Sequence, residues 1–271
     1  MWQKINAMVR TKTILSAFLL SAFFVLLVSA VGLPTMQSGM EQKIGMPIFT
    51  MYQIALAAVG ILLMRKLQVF CPGDFKTKNL GKGLLLGWVA FALMAIMFVA
   101  SFSSRTEYFV APEPLFLLTV ILFPLSTGLL EEVVFRGIVL KILLKKMAGT
   151  KNGIIYAFII SATLFAAVHS IHLIWAAPIE VVADLLFPLA GGMYLGAVYL
   201  RAKTLIAPIL LHWLMNLSGG IFAAFTSPEY TATKTTLSDV VSIALVGALP
   251  LIIAAFVLQR KVKPEDLCMR I

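Results

Sequence analysis

The chain is poor in charge. Only 13% of its 271 residues are Asp, Glu, Lys or Arg, about half the share of an ordinary soluble domain. Long polar stretches are missing as well, so no room remains for a separate soluble domain. Cysteine is scarce: Cys71 and Cys268 lie in separate charged segments, with no ligand spacing and no disulfide framework. There is no His-Glu-x-x-His zinc signature, no Gly-x-Ser-x-Gly nucleophile elbow and no Gly-rich phosphate loop. Internal repeats, coiled-coil heptads and low-complexity tracts are absent too. The formal charge of +10 would suit a nucleic-acid partner, but the cations sit mainly in gaps between apolar runs. That is where cytoplasmic loops of membrane proteins collect them, so no nucleic-acid partner is expected.

What the sequence has in abundance is hydrophobic residues, 61% of the total. Bilayer hydrocarbon is about 30 Å thick, and a helix needs about 20 mostly apolar residues to cross it. Runs of this kind fit Ile14–Leu33, Ile48–Met64, Leu84–Ser101, Pro114–Leu144, Ile154–Val168, Ala177–Leu200, Leu205–Leu217 and Val240–Leu258. The reading is an all-α, polytopic transmembrane bundle of about eight helices, a single membrane domain over residues 1–271. Two spans are awkward. The fourth is over-long and carries Pro124 and Gly128, so a split there would change the count. The seventh is short unless it continues through Gly219-Gly220. The first follows Lys4, Arg10 and Lys12 and contains Val28-Ser29-Ala30, a signal-peptide profile; its length favours an uncleaved anchor.

Loop charge orients the bundle. Arg65, Lys66, Lys76, Lys78 and Lys82 fill one loop against Asp74 alone. Lys141, Lys145, Lys146 and Lys151 mark a second, Arg201 and Lys203 a third, and Arg260, Lys261 and Lys263 follow the last span. The alternate loops, around Glu41–Lys43, Arg105–Glu113 and Thr226–Asp239, are weakly charged. Both termini are therefore expected in the cytoplasm.

Against this background, ionisable residues inside the spans stand out, because charge in hydrocarbon is costly and points to pairing or function. In Glu131-Glu132-Val133-Val134-Phe135-Arg136, Glu132 and Arg136 are four apart and share a helical face. Glu131 is turned about 100° from Glu132 and is left for another partner. The plain alternative is that both acids only neutralise Arg136. Phe165 and His169 share a face of the next helix, while His172 falls in the following loop as a packing residue. His212 and Asn216 are again four apart. Brought to one cavity, Glu131, His169, His212 and Asn216 form a hydrolytic set: a carboxylate to deprotonate water, imidazoles to order it or bind metal, and donors for an oxyanion. Glu180 and Asp184 are a further acidic pair, with Glu180 near a helix mouth.

These motifs resemble the CAAX-protease and bacteriocin-processing (Abi) family of intramembrane endopeptidases. Its pattern is Glu-Glu-x-x-x-Arg, Phe-x-x-x-His and His-x-x-x-Asn on successive helices. This chain has Glu131-Glu132-Val133-Val134-Phe135-Arg136, then Phe165 to His169, then His212 to Asn216. The stretch Gly192-Met193-Tyr194-Leu195-Gly196, followed by Arg201 and Lys203 before His212, also looks like the family's approach to its third motif, and the likeness covers roughly residues 115–218. The resemblance implies Glu131 as general base, His169 holding or polarising the water, and His212 with Asn216 stabilising the oxyanion. Glu132 and Arg136 would brace the site. It implies no cofactor on a glutamate reading and zinc on a metallo reading; two histidines with distant acids are a thin zinc set, which favours the first. The implied partners are the lipid bilayer and a membrane-associated protein or peptide substrate, and the implied setting is a prokaryotic plasma membrane. Two other classes compete. Intramembrane acids and histidines also build proton or cation relays in transporters, although such proteins more often show repeats. A non-enzymatic adaptor or immunity protein would keep the same residues for packing.

Overall fold

A computed structural model of the chain describes residues 2–37, 42–174, 176–227, 229–231 and 234–267. Among them, seven helices are long and apolar enough to cross a membrane, and a bent pair supplies an eighth. A short amphipathic helix, α1 (Trp2–Thr11), precedes the first span, α2 (Thr13–Gln37), and α3 (Gln42–Lys66) follows. Then come α4 (Leu80–Leu86) and α5 (Trp88–Ser103), and α6 (Pro114–Glu132), which runs through a π-helical stretch (Val133–Leu140) into α7 (Lys141–Met147). The remaining spans are α8 (Gly153–Ala167), α9 (Pro178–Ala202) and α10 (Ile206–Gly220). Last is a helix built of α11 (Leu237–Ser242), a second π-helical stretch and α12 (Leu249–Gln259). No strand forms among the described residues beyond one isolated bridge, Phe109 to Thr226.

The expected spans are therefore present, with two differences. The third is not straight: it is bent by 63° at Gly87. A Cβ there would lie 2.6 Å from a Leu211 methyl on α10 and 2.9 Å from the carbonyl oxygen of Leu84. The chain turns where only glycine fits. The fourth span, by contrast, is not split. Pro124 lacks the N–H that an interior helix position supplies, yet the helix runs unbroken from Pro114 to Met147. Glu113 caps its start, accepting from the backbone N–H groups of Leu115 and Phe116. The seventh span does continue through Gly219-Gly220, reaching Phe225. The first is a packed part of the bundle, with Ala17 and Phe24 buried.

One charge assignment was wrong. Lys141 and Asp74 are buried partners, not solvated loop charges. The ammonium of Lys141 donates to Asp74 Oδ2 at 2.5 Å and to the Val69 carbonyl at 2.9 Å. Tyr199 donates to the other carboxylate oxygen at 3.0 Å, and the Asp74 carbonyl accepts from Leu205 N–H at 2.6 Å. The α3–α4 loop is thus pinned beneath the α9–α10 turn, where three partners offset the desolvation of an ion pair. Cys71 of that loop is disulfide-bonded, against the expectation of no framework; Cys268 lies outside the described residues.

Candidate active site

Two glycines bring the motif helices together. At Gly128 on α6, a Cβ would sit 3.4 Å from Ile209 O and Trp213 N and 3.5 Å from His212 Cβ. That close approach to α10 sets His212 beside the acids one turn further along α6. At Gly192 on α9, a Cβ would meet the Phe165 ring at 2.9 Å, so α8 and α9 pack nearly backbone to backbone. Small residues serve helix contact in this way throughout membrane bundles.

The brace is assembled as the spacing predicts. Arg136 Nη1 donates to Glu132 Oε1 at 2.6 Å, although the helix widens to π geometry immediately after Glu132. π-helical stretches concentrate at functional sites, and all eight residues of this one are buried. Arg136 Nη2 donates to the Gly192 carbonyl at 3.1 Å, and the guanidinium lies 4.6 Å from the centre of the Phe165 ring. Glu132 is fully buried. Its Oε1 also accepts from His212 Nδ1 at 2.9 Å.

That last contact fixes the imidazole. With Nδ1–H given to Glu132, His212 turns Nε2 toward Glu131, 3.5 Å from its Oε2. Glu131 is the less buried acid, its side chain 24% exposed. It lines a cavity of about 150 Å³ inside the bundle together with His169. His169 Nδ1 is 3.0 Å from the Phe165 carbonyl, and the His169 and His212 rings both stand edge-on to Phe165. Glu131, His169 and His212 thus converge. Asn216 lies one turn beyond His212 on α10 and is exposed, so it is not among the residues that line the cavity of Glu131 and His169. Glu180 is a helix-mouth residue as expected: its carboxylate accepts from the Ala177 N–H at 3.1 Å. Asp184 is half-buried, and the side chain of His172 lies outside the described residues.

Among the described residues, no group of three or more His, Cys, Asp and Glu side chains is placed to hold a metal. Glu132 Oε1 is shared by His212 Nδ1 and Arg136 Nη1, so neither that oxygen nor that nitrogen is available as a ligand. The chemistry available is a carboxylate that shares a cavity with one imidazole and lies 3.5 Å from a second.

Sequence reasoning understated one residue of the site and overlooked another. Phe165 is more than a motif marker, since its ring lies against the guanidinium and meets both histidines edge-on. Gln53 of α3 lines the same cavity as Glu131; its only signal was an amide within an apolar run.

Residues 113–218 match the family model described as type II CAAX prenyl endopeptidase Rce1-like. No curated protein and no solved structure matches the chain. The matched segment runs from the cap of α6 to the end of the His-x-x-x-Asn motif, so it contains every converging residue described above. The likeness to the CAAX-protease and bacteriocin-processing family is thus carried by residues 113–218.

Proposed function

We propose that the protein is an intramembrane endopeptidase that hydrolyses a peptide bond in a membrane-associated protein or peptide, using water activated by Glu131. The observation that carries this reading is the shared cavity of Glu131 and His169, with His212 held against Glu131 by the Glu132–Arg136 brace. In the proposed reaction, Glu131 takes a proton from water as the water oxygen attacks the scissile carbonyl carbon. The carbonyl π electrons move onto oxygen, which His212 meets through Nε2–H while its Nδ1–H stays on Glu132, the ring carrying a proton on each nitrogen. Collapse of this intermediate breaks the C–N bond, and Glu131 returns its proton to the leaving amine. His169 orders the water. No step uses a metal.

Cleavage assays test the reading. Purified protein in detergent should cleave at least one member of a panel of quenched fluorescent peptides, some farnesylated at cysteine and some not. Activity should survive chelation, with well under one transition metal per chain by elemental analysis. Failure to cleave any of them, while the protein remains folded, would remove the peptidase reading. A stoichiometric zinc whose removal abolishes activity and whose return restores it would replace the metal-free mechanism and leave the peptidase standing.

Orientation belongs to the same proposal. The cationic loops favour both termini in the cytoplasm, and the proposed setting is a prokaryotic plasma membrane. In a background without Cys71 and Cys268, a cysteine at Ser238 should react with an impermeant thiol reagent on intact cells. One at Asn6 should react only after lysis. External labelling of both sites would overturn the arrangement.

A further inference from the structure

Gln53 is 3% exposed, deep within α3 and outside the segment that carries the family motifs. Two neighbours on α6 fix its amide. Ser126 Oγ donates to Gln53 Oε1 at 2.6 Å, and Thr127 Oγ1 donates to the same oxygen at 3.2 Å. Both hydroxyls also contact the Phe123 carbonyl, at 2.8 and 3.1 Å. The oxygen end of the amide is therefore occupied. No hydrogen bond from its nitrogen is formed among the described residues, yet that nitrogen is not sealed off as the unpaired Glu132 Oε2 is. Gln53 borders the cavity of Glu131 and His169, and its nitrogen is the end of the amide left for a partner there.

An amide left without a partner in an apolar interior costs about 1–3 kcal/mol by mutational measures, so this placement needs a partner in the cavity. Peptide cleavage provides one. A substrate backbone opened for attack at membrane depth has lost its helical hydrogen bonds and brings carbonyls that must be met by protein donors. Glu131 only accepts. A fixed NH2 group on the opposite helix is the complementary donor.

We infer that Gln53 is a substrate-binding residue whose amide nitrogen donates to a main-chain carbonyl of the peptide lying over Glu131. The inference rests on the peptidase reading and adds a contact from outside the family motifs. It holds the substrate before and during attack, so its loss acts on binding.

The test uses whichever fluorescent peptide the wild-type protein cleaves. Gln53→Met keeps the volume and removes the amide, and both hydroxyls keep the Phe123 carbonyl as acceptor. Gln53→Glu keeps shape and the oxygen end but loses the donor. Both variants should raise KM about tenfold, the scale of one hydrogen bond, with kcat changed much less and thermal stability close to wild type. An ester in place of the contacted amide has a weaker carbonyl acceptor; it should raise KM for the wild type and have little further effect in Gln53→Met. Wild-type KM in either folded variant overturns the inference while leaving the peptidase reading intact. A wild-type protein that cleaves nothing overturns both.

Discussion

Replacing Glu131 by Gln should lower peptide cleavage at least about a hundredfold, the low end of what a positioned general base contributes. The change keeps the shape of the side chain and removes only its ability to take a proton. The protein should remain folded, because Glu131 faces a cavity and the nearest cation, Arg136, is already paired with Glu132. Cleavage rates and melting in detergent, measured together, separate this from a folding defect. A Glu131→Gln protein that retains wild-type cleavage would leave the cavity without its base, and the mechanism would fall.

Glu132→Gln should behave in the opposite way, with its largest effect on stability. Glu132 Oε1 is shared by Arg136 and His212. Its neutralisation leaves a buried guanidinium with the Gly192 carbonyl, the Phe165 ring and the charge of Glu131, which does not hydrogen-bond it, as compensation. Breaking a buried pair costs about 3–5 kcal/mol, enough to take a large part of a typical protein's net stability. Activity should fall as well, since His212 loses the contact that orients it. The comparison between neighbours is what tests the account: two acids adjacent in sequence, one bracing and one reacting. If melting dropped further for Glu131→Gln than for Glu132→Gln, the two roles would be reversed.

The part of the site legible in the sequence is the part governed by helical period. Four-residue spacing put Arg136 on the face of Glu132, and the pair survives the π-helical widening that the sequence did not announce. The same spacing set His212 and Asn216 on one face but said nothing of depth, and Asn216 lies exposed one turn beyond the cavity. Contacts between distant helices were out of reach for a different reason. The approach of His212 to Glu132 depends on α10 packing on α6 beside Gly128, which no pattern within either helix encodes. Gln53 is 78 positions before Glu131 and looked like one tolerated polar residue in an apolar run. Lys141 was read as a loop charge because it opens a cationic cluster; only the fold back of Asp74 explains its burial. The bend at Gly87 was missed because hydropathy averages over it, while the glycine's purpose is a leucine on another helix.

The central claim is that Glu131 activates water and does not itself form a bond to the substrate. A single turnover in water enriched in oxygen-18, with enzyme in excess over peptide, tests it most directly. The new carboxyl terminus of the product should carry one heavy oxygen, and the proteolytic fragment of the enzyme containing Glu131 should carry none. Heavy oxygen in the Glu131 carboxylate would mean that this side chain attacked the peptide bond as a nucleophile, and would contradict the account.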